Sequence, residues 1–182
     1  MNQEQKEYLL SLARESIRAK LEKRRHAPEP PGDSELIREC GAFVTLKTNG
    51  QLRGCIGNIR AHAPLYETIC EMAVAAATQD PRFSPMKADE LGSAHIEISA
   101  LTPFEKITSA DEIEVGRDGL FIKHGYNSGL LLPQVATEYG WDKYTFLEQT
   151  CRKASLPAEA WKDPEAEIYR FSAEVFGERE DA

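Results

Sequence analysis

Asn49-Gly-Gln-Leu-Arg-Gly-Cys-Ile-Gly57 decides how this chain is read. The Asn-Gly pair suits a two-residue type I′ turn, which needs φ > 0 at both central positions. Residues 42–48 and 51–59 on either side read as a β-hairpin. Its second strand is unusual, because Gly54 and Gly57 weaken a strand interior and signal a bulge or the close approach of a backbone or ligand. With a period of two, Arg53, Cys55 and Gly57 share one face and Leu52, Gly54 and Ile56 the other. A cation and a thiol are thereby expected side by side.

Working outward, residues 3–25 carry Leu9, Leu12, Ile17 and Leu21 at helical spacing and end in a basic run that complements the helix dipole. Residues 26–33 are a proline-rich connector within the domain. Pro64 opens a helix running to about residue 79, apolar on most sides and so expected at the centre of the fold. The loop Asp80-Pro-Arg-Phe-Ser-Pro-Met86 follows, held by two prolines. Residues 95–101 alternate as a strand buried on one face. Residues 119–123 and 130–132 suggest a hairpin around a turn at 125–129, helices are expected from Pro133 and over 143–154, and Tyr169, Phe171, Ala173 and Val175 alternate in one terminal strand. Hairpins mixed with helices predict an α+β fold built on a largely antiparallel sheet flanked by helices.

Composition narrows the function. The chain has 182 residues, a formal charge of −8 and 41% hydrophobic content, which fits one soluble domain over residues 1–182. The acidic balance argues against nucleic acid as a partner. No apolar run reaches the roughly 20 residues of a membrane span, and no signal-peptide pattern opens the chain, so a cytoplasmic location is expected. Four cysteines and four histidines are scattered. Their spacing offers no metal-ligand motif, and the sequence names no cofactor.

The candidate site residues follow. Cys55 is either a small hydrophobe in a sheet or a thiol that a nearby cation tips toward thiolate, with Gly54 and Gly57 admitting a substrate. Arg53 is its strand neighbour. Arg82, set beside Asp80, either clamps an anion bidentately or forms a structural ion pair. His95 is the histidine best placed to act as base to Cys55.

These residues resemble a known family. Leu52-Arg-Gly-Cys-Ile-Gly57 is similar to the hallmark hexapeptide of the AMMECR family, whose prokaryotic members are called AmmeMemoRadiSam system protein A. Gly41-Ala-Phe-Val-Thr-Leu46, Asp80-Pro-Arg-Phe83, Ile96-Glu-Ile-Ser99, Leu130-Leu-Leu-Pro-Gln-Val135 and Trp141 stand in the family's order. Asp118 stands where the resemblance expects histidine, and Ser155 where it expects glycine. The resemblance implies a larger and a smaller lobe, with the termini in the larger. It also implies a concave surface lined by the hexapeptide and residues 80–83, and a shared pathway with Memo-like and radical SAM proteins. Two functions are expected from this: binding or processing a small anionic molecule at Cys55, or a non-catalytic adaptor or regulatory module using the same surface.

Overall fold

The computed structural model describes residues 1–59 and 62–178. It divides into two compact units, Met1–Leu101 with the chain from Glu174 onward, and Thr102–Ala173. Among the described residues, five α-helices and two antiparallel four-stranded sheets make an α+β fold.

In the first unit, α1 (Gln3–Leu21) starts at a capping box in which Asn2 and Gln5 satisfy each other's backbone N–H groups. It stops short of the expected residue 25. Lys23 takes φ 57°, its N–H donates to Lys20 O, and Arg24 N–H donates to Ala19 O. That is a Schellman stop, which places the basic residues after Lys20 beyond the regular helix. The four-residue α2 (Ser34–Ile37) follows directly on the connector, whose last residue, Asp33, caps it.

Strands β1 (Ala42–Thr48) and β2 (Gln51–Asn58) form the hairpin, and Asn49 and Gly50 have the expected positive φ of 51° and 73°. With β3 (Ala94–Leu101) and β8 (Ala173–Gly177) they give the order β2-β1-β3-β8, so β2 lies at an edge. Ala42, Val44, Leu46, Ile96 and Ile98 turn inward and are fully or almost fully buried. Helix α3 (Leu65–Thr78) lies between α1 and the hairpin, which explains why its apolar residues extend around most of its circumference. Arg14 fastens the returning chain, donating to both carboxylate oxygens of Glu178 and to the carbonyls of Leu91 and Ala94.

The second unit holds β4 (Glu105–Ile107), β5 (Gly119–His124), β6 (Asn127–Leu131) and β7 (Glu167–Phe171) in the order β4-β7-β5-β6. Helices α4 (Pro133–Glu138) and α5 (Lys143–Lys153) accompany them, and Phe146 and Leu147 of α5 share a core with Leu120. The single terminal strand expected over residues 169–175 is instead two, β7 and β8, in different sheets. Thr102 and Ser172 clasp the chain at the crossing, through Thr102 N–H to Ser172 O and Ser172 N–H to Thr102 Oγ1, both 2.8 Å. The apolar alternation of the sequence runs on to Val175, but the structure buries Phe171 and Phe176 and exposes Val175, so the inward-facing phase changes across the clasp.

Helix α5 ends as α1 does, with Ser155 at φ 59° and Leu156 N–H bonded to Cys151 O. A left-handed conformation strains any residue with a Cβ. Ser155→Gly, which restores the residue expected from the family pattern, should raise the unfolding free energy by about 0.5–1 kcal/mol, after allowing for glycine's looser unfolded chain. Urea denaturation checks this, and a loss of stability would contradict it.

Candidate functional site

The hairpin register explains the odd composition of β2. Leu46 pairs with Gly54 and Lys47 with Leu52, leaving Arg53 as the extra residue of a β-bulge. On one side of β2, an added Cβ at Gly54 would lie 2.2 Å from the Ala76 carbonyl oxygen of α3. At Gly57 it would lie 2.1 Å from the Phe43 ring. Both glycines therefore make room for parts of the protein itself, the close-approach reading of a strand glycine.

Cys55 faces Thr45 across the ladder, and Thr45 Oγ1 donates to its Sγ at 3.1 Å. Its backbone looks outward from the sheet edge. Cys55 N–H donates to Asp80 Oδ2 at 2.8 Å, and its carbonyl accepts from Arg82 Nη2 at 3.4 Å. Arg82 in turn holds both Asp80 oxygens, through Nε at 3.0 Å and Nη2 at 2.7 Å. An acid and a base thus stand where a neighbouring strand would supply its carbonyl and N–H, closing the edge at one residue. The Asp80 side chain is only 2% exposed, that of Arg82 55%.

The electrostatics follow from these contacts. The Arg82 hydrogen bonds, aided by the Cys55 N–H, hold the Asp80 carboxyl well below the usual carboxylate range despite burial. Asp80 raises Arg82 above its ordinary value, with a smaller contribution from the Cys55 sulfur. Arg53 binds Glu90 through Nε at 2.9 Å and Nη2 at 3.2 Å, and the Ser84 carbonyl at 3.1 Å. That contact, with the Lys87 N–H, lowers Glu90. Phe83 has both guanidinium carbons near its ring, Arg53 at 6.0 Å and Arg82 at 5.6 Å from the centroid.

The structure therefore brings together Arg53, Cys55, Asp80 and Arg82, and leaves His95 apart. His95 pairs with Lys47 of β1, while Cys55 lies on the far side of β1 and pairs with Thr45. Two strand spacings put their backbones roughly 10 Å apart sideways, besides an offset of two residues along the strands. No hydrogen bond joins imidazole and thiol. Among the described residues no group of three His, Cys, Asp or Glu could hold a metal ion. Burial pushes the Cys40, Cys70 and Cys151 thiols up, with Cys70 partly rather than fully enclosed. Sequence reading missed Thr45 and Glu90. Thr45 follows from the hairpin register, whereas Glu90 lies 37 residues from Arg53 and leaves no local signal.

The AMMECR1 family model matches residues 10–176. The chain belongs to the AMMECR1 family. A Thermococcus gammatolerans protein is 46% identical, over 94% of this chain and 89% of its own length. One from Methanothermobacter thermautotrophicus is 45% identical, over 93% and 92%. The crystal structure of an uncharacterized Pyrococcus horikoshii protein superposes with a TM-score of 0.78 at 42% identity, covering 94% of this chain and 90% of that one. No described helix of this AMMECR1-family chain is long and apolar enough to cross a membrane.

The Asp80 contact has a pH signature. A carboxyl held below its ordinary value stabilises the fold above about pH 4 and loses that contribution as pH falls toward the folded-state value. Asp80→Asn should lower the thermal midpoint at pH 7 and narrow the gap between the midpoints at pH 7 and pH 3. An unchanged gap in calorimetry would contradict this.

Proposed function

We propose that the Cys55 region binds or processes a small anionic molecule, with Cys55 as its thiol and Arg82 and Arg53 as the groups that meet the anion. What supports the reading is the bracket around Cys55. Its backbone is fixed from outside the sheet by Asp80 and Arg82, and its sulfur is oriented by Thr45. Each arginine also keeps its Nη1 without a hydrogen bond to a described residue. Those donors would meet an oxyanion without the loss of Asp80 or Glu90. Gly54 and Gly57 then act indirectly, by seating β2 against α3 and Phe43. A shared pathway with Memo-like and radical SAM proteins is part of the same proposal and rests on the family resemblance.

One observation favours a second reading, an adaptor surface with Cys55 as packing. Both arginines already carry a carboxylate partner, so the local charge is balanced without a ligand.

Alkylation separates the two. With iodoacetamide at pH 7, Cys55 should react at least about 10-fold faster than Cys70, whose thiol is pushed up by burial. Inorganic phosphate or citrate should slow the reaction, and Arg82→Ala should remove that protection. Reaction of Cys55 no faster than Cys70 would overturn the thiol role, and equal protection in Arg82→Ala would overturn the anion site.

A further inference from the structure

The connector after α1 reads Arg25-His-Ala-Pro-Glu-Pro-Pro31, an arginine followed by prolines at its third and sixth positions. Prolines 28, 30 and 31 fix their own φ near −65°. Each also biases the residue before it, Ala27, Glu29 and Pro30, toward extended backbone. Five successive residues are thereby restrained toward polyproline II without help from the rest of the fold. Residues 24–31 have no helix, strand or turn, and residues 25–32 enter no backbone–backbone hydrogen bond among the described residues. An extended, proline-restrained segment free of backbone hydrogen bonds is compatible with polyproline II.

Three residues per turn put Arg25, Pro28 and Pro31 on one edge and Ala27 and Pro30 on the next. Ala27 and Pro30 are exposed, and Pro28 and Pro31 half-buried. The pairs Ala27-Pro28 and Pro30-Pro31 therefore present two successive ridges. Arg25 lies exposed at their N-terminal end and has no ion pair with a described residue, while its neighbour Arg24 is engaged by both Glu15 and Glu22. A rigid spacer explains the prolines but not an unengaged arginine in register with them.

We propose that residues 25–31 are a docking segment for a protein domain that reads polyproline II. Its partner has an aromatic-lined groove for the two Xaa-Pro ridges and a carboxylate rim that takes Arg25, the recognition chemistry of SH3-type domains. The segment binds at low entropic cost because the prolines hold it in its bound shape beforehand. This surface is independent of the Cys55 site.

The test titrates a ¹⁵N-labelled SH3 domain selective for Arg-x-x-Pro-x-x-Pro ligands with the intact chain. Saturable shifts confined to the domain's aromatic groove are expected. Arg25→Glu should weaken binding about 10-fold or more, the loss of a charge-assisted contact. Pro28→Ala/Pro31→Ala should abolish it, and Lys23→Glu, just outside the motif, should change it less than about 2-fold. Circular dichroism of each variant confirms the fold. Absence of saturable binding, or a loss in Lys23→Glu equal to that in Arg25→Glu, would overturn the proposal.

Discussion

The bracket that Asp80 and Arg82 place on the Cys55 peptide is the contact on which the candidate site depends. An edge strand leaves alternate N–H and C=O groups without a partner, which invites pairing with other chains. Here a buried carboxylate accepts the Cys55 N–H and a guanidinium donates to its carbonyl. The carboxylate would not be stable there alone, since a buried carboxylate without a partner is costly, whereas the half-exposed Arg82 supplies that partner from the solvent side. Helix α3 delivers both halves of the arrangement. Its Ala76 carbonyl occupies the space where Gly54 lacks a side chain, and Asp80 follows two residues after its last turn at Thr78. The glycine of the hexapeptide, the packing of α3 and the aspartate of the loop are therefore one constraint.

Much of this was legible in the chain. Asn49-Gly50 announced its turn, Pro64 and Pro133 marked helix starts, and alternation placed β3, because those signals are local. The two unusual segments, residues 52–57 and 80–83, do meet. Illegible features were those set by register or by distant partners. The bulge at Arg53 appears only once Leu46 and Lys47 are matched to β2, and the pairing with Glu90 crosses 37 residues. The split at Ser172 is hidden because the apolar residues Tyr169, Phe171, Ala173 and Val175 alternate in the sequence, although the structure buries Phe171 and Phe176 and exposes Val175.

The two departures from the family pattern have different physical standing. Ser155 occupies a left-handed position where glycine would fit without strain. Asp118 is 2% exposed; burial pushes its carboxyl up, but Arg117 and the Glu114 N–H outweigh that and hold it below its ordinary value. Arg117 and Asp118 thus form a self-contained pair that a histidine at 118 could not make in the same way.

Amide hydrogen exchange at Cys55 tests the central claim most directly. With its N–H held by Asp80, the Cys55 amide should exchange slowly in the wild-type chain despite lying at a sheet edge. In Asp80→Ala it should exchange much faster while Ile98, in the interior strand β3, keeps its protection. Equal protection of Cys55 in both proteins would show that something other than Asp80 closes the edge, and would contradict the account.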